Sequence, residues 1–196
     1  ILNQNIWTDE AFTIELTRQN GLLEIIRQTA IDVHPPQYYL IVKIFISLFG
    51  SSFQVYKLVS ILPMLLTMLL SMTHIRPWFG AARAVLFLIF LNAIPCVMEY
   101  SVQIRMYSWC IFFITLAGLS AYGVYTQGTF RQYCILTLAA LCACYTHNFA
   151  MISAVFLYIL LGIALVFRKK TVPVRWLLSG AVVSAGFLPW LPGLLR

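Results

Sequence analysis

Four short strings carry most of the side chains in this 196-residue chain that could do chemistry. The first, Trp7-Thr8-Asp9-Glu10-Ala11, holds two adjacent carboxylates. A carboxylate near a lipid surface can take the proton of an attacking hydroxyl, or can hold a metal. The second, Asp32-Val33-His34-Pro35-Pro36-Gln37-Tyr38-Tyr39, sets a histidine ahead of two prolines. Paired prolines suit a helix entrance, so His34 and the positive helix end could meet an anion together. The third, Glu99-Tyr100-Ser101-Val102-Gln103-Ile104-Arg105-Met106-Tyr107, puts a guanidinium fork suited to a lipid phosphate beside hydrocarbon. The fourth, Tyr145-Thr146-His147-Asn148-Phe149, adds a second histidine at the end of an apolar run.

Each string also has a plain structural reading. Asp9 and Glu10 could simply stabilise the first turn of an exposed helix, by about 0.3–1 kcal/mol. The second string could be a proline-started helix with aromatic residues at a membrane interface. Glu99 and Arg105 could pair with each other, or Arg105 could snorkel toward water. His147 could be a satisfied polar group, and His74, among cations, has no expected catalytic role. Cys96, Cys110, Cys134, Cys142 and Cys144 all fall in or beside apolar runs and read as small buried hydrophobes. Cys142-Ala143-Cys144 lacks a Cys or His partner at finger-like spacing, so it is a weak metal motif.

The elements that must position these strings are membrane helices. The chain is 61% hydrophobic and 10% charged, with a mean hydropathy of +0.87. Soluble domains are nearer a quarter charged. Apolar stretches long enough for a bilayer core recur, and ten-residue alternating segments do not, which argues against an outer-membrane barrel. The expected fold is all-α: a polytopic helical membrane protein with short juxtamembrane helices in its first extracytoplasmic loop. Five of the six acidic residues lie in the first 32 positions. Residues 1–53 read as the acidic site loop, and residues 54–196 as a transmembrane domain of about six spans (54–73, 84–100, 107–125, 133–147, 149–167 and 174–191). Thr8 or Asp9 should cap a first short helix, and Leu22, Ile25 and Ile26 should share one side of a second. Residues 35–49 would make a helix of about 22 Å, too short for the bilayer core and with Lys43 at its middle, so an interfacial helix is expected.

Arg76, Arg83, Arg131, Arg168, Lys169, Lys170 and Arg175 occupy one set of loops with no acid among them. The positive-inside rule makes that set cytoplasmic and puts the acidic loop outside. The net charge of +7 is thus a topology signal, and no aromatic-plus-basic groove suggests nucleic acid. The chain starts with Ile1 and stops at Arg196, just after a span. It reads as the N-terminal-half fragment of a larger protein, with a first anchor helix before it and a C-terminal part after it missing.

In their order, Asp9-Glu10, His34-Pro35-Pro36 with Tyr38-Tyr39, Tyr100-Ser101, Arg105-Met106-Tyr107 and Tyr145-Thr146-His147 resemble the N-terminal half of GT-C-class glycosyltransferases. The nearest kin would be bacterial members related to protein O-mannosyltransferases and aminoarabinose transferases. The resemblance covers roughly residues 7–150. It implies an inverting enzyme that takes a sugar from a polyprenyl-phosphate-linked donor at the outer face of a bacterial plasma membrane. The acceptor would be a protein, lipid or glycan, with membrane lipids around the chain. By this likeness Asp9 matches the catalytic acid of the first loop and Glu10 its neighbour, while His34 and Arg105 match donor phosphate-binding positions. Tyr38, Glu99, Gln103, Tyr107 and His147 are supporting candidates. Relatives commonly carry a glutamate where Gln103 stands, and a Gln cannot act as a base or hold a metal as a carboxylate does. No metal site is therefore assigned, although the chemistry is compatible with a divalent metal as cofactor. A transporter or flippase and a non-catalytic membrane subunit are the alternatives. Transporters usually set ionisable groups near the bilayer midplane, whereas here the acids gather in a loop.

Overall fold

The computed structural model describes residues 7–32, 34–170 and 173–194. Residues 1–6 at the start of the acidic loop, Val33, and Arg196 at the end of the last loop lie outside them. Among the described residues every regular element is a helix.

The acidic segment folds as three short helices, α1 (Thr8–Gln19), α2 (Leu22–Ile31) and α3 (Gln37–Phe49). The N-cap position of α1 is Trp7, not Thr8 or Asp9. The capping is done from inside the helix, where the Glu10 carboxylate accepts the Trp7 N–H at 3.2 Å and meets an otherwise unpaired donor of the first turn. Leu16, Thr13 and Thr17 share the buried face of α1 with Glu10. In α2 the buried side is Ile25 and Thr29, while Leu22 and Ile26 are exposed. Of the expected Leu22–Ile25–Ile26 side only Ile25 is buried, while Ile26 lines a cavity with Gln37 and Trp190.

Helix α3 follows Pro35-Pro36 and ends at Gly50, whose φ of +85° suits glycine alone. Its 13 residues give about 20 Å, short of a bilayer core. Lys43 in its middle donates to the carbonyl of Thr17 at 3.0 Å, which ties α3 to the end of α1.

Next come α4 (Phe53–Leu70), a π turn (Ser71–Ile75) and α5 (Arg76–Phe79), which together form one long apolar rod. Then follow α6 (Ala81–Ala93), α7 (Pro95–Val102), α8 (Tyr107–Thr126), α9 (Phe130–Thr146), α10 (Asn148–Lys169) and α11 (Val174–Phe187). A 3-10 turn (Leu188–Trp190) and α12 (Leu191–Leu194) end the described chain. Where about six spans are expected, 4 stretches among the described residues are long and apolar enough to cross a membrane: Phe53–Phe79, Tyr107–Thr126, Asn148–Arg168 and Val174–Gly193. The count reaches 5 if α6 and α7 form one broken span. They meet at a bend of 70°, at Ile94, whose extended backbone follows from the proline after it.

Helix α9 has 17 residues and sits between α8, α10 and α11. Its buried face carries Ala139, Ala140 and Ala143, small residues that let helices approach closely where lipid supplies no hydrophobic drive. Some polar side chains inside the bundle are paired across helices. Ser179 of α11 meets Thr137 of α9 and Tyr158 of α10 at 2.7 Å each. Helices α4, α8 and α9 form the frame against which α1 and α3 dock.

Candidate active site

One buried ion pair joins three remote segments. Lys57, in the first turns of α4, donates to Glu10 Oε1 at 2.8 Å and to the Val102 carbonyl at 2.7 Å. The same Glu10 oxygen accepts the N–H of Ile104 at 2.7 Å. Both side chains are 2% exposed. Taking two charges out of water is costly, so the extra hydrogen bonds are what make the pair tolerable. Burial would push the Glu10 carboxyl up, but the bonds from Lys57, Ile104 and Trp7 outweigh it and hold the pKa below its ordinary value.

A pH dependence follows. A depressed folded pKa contributes stability that is fully present above the ordinary value of 4.5 and is lost as pH falls through the folded value. Melting temperature in detergent should therefore decline across that acid window, and the decline should be shallower in Glu10→Gln. Equal slopes in the two proteins would contradict the assignment.

This knot sets the geometry of the neighbours it does not include. Asp9 adjoins Glu10 and Arg105 adjoins Ile104, and their side chains face each other with Arg105 Nη2 3.8 Å from Asp9 Oδ2. Asp9 is 69% exposed while Arg105 is nearly buried. Of the plain readings of the third string, the Glu99–Arg105 pair gives way to this contact. The Arg105 guanidinium also stacks over the Tyr107 ring at 6.0 Å. Burial disfavours its charge, yet Tyr39, Tyr107 and Asp9 outweigh that and raise its pKa. Asp9, Glu10, Glu99, Gln103, Arg105 and Tyr107 all line one open cavity of about 410 Å³.

A second cavity of about 350 Å³ lies alongside and is lined mainly by apolar side chains, including Cys110, Ile114 and Phe149. Tyr100 and Tyr107 line both cavities, and their rings sit 4.8 Å apart. His147 borders the second one. Its ring lies 6.1 Å from Tyr107 and 6.2 Å from His34. His34 in turn is held by Asp32 at 2.9 Å.

The structure therefore links Asp9, Arg105, Tyr107, His147 and His34 in one chain of contacts. Tyr38 lines neither cavity, and its hydroxyl meets Ser60 of α4 at 3.1 Å. Its neighbour Tyr39 takes the place nearer the charges: it packs edge-on against Phe12, and burial pushes its hydroxyl up to about 12. His74 is elsewhere, bonded to Thr73 and packed on Trp78. Among the described residues no group of three His, Cys, Asp or Glu side chains could hold a metal ion. Lys57 is the residue that sequence reasoning missed. The available signal was its position in an otherwise apolar span, where an ionisable group demands a partner.

Residues 33–192 match the family profile described as dolichyl-phosphate-mannose-protein mannosyltransferase. The chain belongs to this family. No curated protein and no solved structure gives a significant match. Membership brings a glycosyltransferase-type activity with a lipid-phosphate-linked sugar donor, in an integral membrane protein. The matched stretch of this mannosyltransferase-family chain contains His34, Lys57, Arg105 and His147. Asp9 and Glu10 precede it, and the Glu10–Lys57 pair is what fastens them to it.

Proposed function

We propose that this protein transfers a sugar from a polyprenyl-phosphate-linked donor to a hydroxyl of a protein, lipid or glycan acceptor. The reaction inverts the anomeric carbon at the extracytoplasmic face of a bacterial plasma membrane. The observation that supports this best is the meeting of a charged cavity and an apolar one at Tyr100 and Tyr107. A lipid-linked sugar phosphate needs both surfaces within a few ångströms.

In the single displacement, the acceptor oxygen bonds to the anomeric carbon as the carbon–oxygen bond to phosphate breaks. Asp9 takes the acceptor proton. The polyprenyl phosphate leaves with the bonding electrons on its phosphate oxygen, and Arg105 and His34 stabilise its charge. Both Glu10 oxygens already accept hydrogen bonds, which favours Asp9 as the base and gives Glu10 a positioning role. The positive-inside rule orients the acidic loop outward.

The test is a transfer assay in liposomes with a polyprenyl-phosphate-linked radiolabelled mannose. Label should pass to an acceptor fraction only when protein is present. Flux of the donor without transfer would instead indicate a transporter. Arg105→Lys should raise the KM for the donor about 10- to 100-fold, the worth of a charged hydrogen bond, because a point charge cannot replace the planar fork. An unchanged KM would remove Arg105 from the phosphate site.

A further inference from the structure

His147, which borders the apolar cavity, and His34 beside it are held by partners of opposite kind. His34 Nδ1 lies 3.0 Å from the Asp32 carbonyl and 2.9 Å from its carboxylate. Both are acceptors, so Nδ1 carries a proton and Nε2 is the ring atom left for the site. His147 Nδ1 accepts the N–H of Phe149 at 3.1 Å as the N-cap of α10. That nitrogen keeps its lone pair, so the proton of the neutral ring sits on Nε2. Burial, His34 and Arg105 all disfavour a charge on His147 and lower its pKa. The two rings are 6.2 Å apart and edge-on. Tyr107 spaces His147 from Arg105.

We infer that His147 is a phosphate-contacting residue that works as an uncharged Nε2–H donor, and that Asp32 is a positioning residue that turns Nε2 of His34 toward the same phosphate. This presupposes the lipid-phosphate site proposed above. Arg105 supplies a positive charge there, and His34, whose Nδ1 proton is held by Asp32, can donate from Nε2 only as the imidazolium. A third charge would repel both, whereas a neutral N–H adds a hydrogen bond without that repulsion. In this tautomer His147 Nε2 bears a proton and cannot ligate a metal, so the two histidines cannot both ligate one ion through Nε2, although neutral His34 keeps a lone pair there.

The chain has three histidines, which makes nitrogen NMR of histidine-labelled protein in detergent simple to assign with His74→Gln and His34→Gln. His147 should show the Nε2–H tautomer and should stay neutral below its ordinary value of 6.5. Farnesyl phosphate should shift its Nε2 signal, and inorganic phosphate should do so only at far higher concentration. His147→Asn keeps an N-cap oxygen, so it should melt like the parent yet bind farnesyl phosphate about tenfold more weakly. Asp32→Asn should change the His34 signals and raise the donor KM while leaving the His147 tautomer intact. An Nδ1–H tautomer at His147, an unshifted Nε2, or parental affinity in His147→Asn would overturn the assignment. Failure of the parent protein to bind farnesyl phosphate at all would overturn the donor-site reading with it.

Discussion

Asp9→Asn protein should insert, fold and bind its lipid donor, yet transfer sugar about two to four orders of magnitude more slowly, the usual range for a lost general base. Asn is nearly isosteric with Asp, and the side chain is 69% exposed, so little packing changes. The contact with Arg105 at 3.8 Å is long and open to solvent, and such pairs contribute little to stability. The deficit should appear in kcat, because proton removal from the acceptor develops only in the transition state. Asn can accept a hydrogen bond but takes no proton at neutral pH. A kcat near the parental value in the liposome assay would eliminate Asp9 as the base. A normal kcat with a raised donor KM would move Asp9 to the binding machinery instead.

Lys57→Met should have the largest effect on stability. It leaves the buried Glu10 carboxylate without its cation, and breaking one side of a buried pair costs about 3–5 kcal/mol. The damage should be directional. Helix α1 is held to the frame by Glu10, by the Lys43–Thr17 bond and by a narrow buried face, so it should detach before the spans melt. Faster tryptic cleavage at Arg18, with the detergent-embedded helices still protected, would report this. The double variant Glu10→Gln/Lys57→Met removes both charges and should recover much of the loss, though Ile104 then depends on an amide oxygen. If Lys57→Met alone melts and resists trypsin like the parent protein, the pair does not anchor α1.

The architecture was readable in the sequence where one local cause decides. Apolar content announces membrane helices, and Pro35-Pro36 with Gly50 bounds α3. Asp9 and Arg105 meet directly, while His34 and His147 connect to them through ring contacts by way of Tyr107, and the roles of all four stay with the proposal. What spacing concealed were pairings across long stretches of chain. Lys57 and Glu10 are 47 residues apart, and nothing near either names the other. Arg105 chose Asp9 over the closer Glu99 because Glu10 pins the intervening backbone. Tyr38 and Tyr39 are indistinguishable in a string, and only the roll of α3 against Ser60 separates them. The bend at Ile94 had a cue in Pro95, but hydropathy runs straight through it.

The buried lysine–glutamate knot also constrains how this protein can drift. Losing either partner alone strands a charge, so neutral change at one position is blocked until the other has moved. Homologues without a cation at position 57 should therefore also lack the acid at position 10. Those that keep only one of the two should carry a replacement counter-charge from another helix.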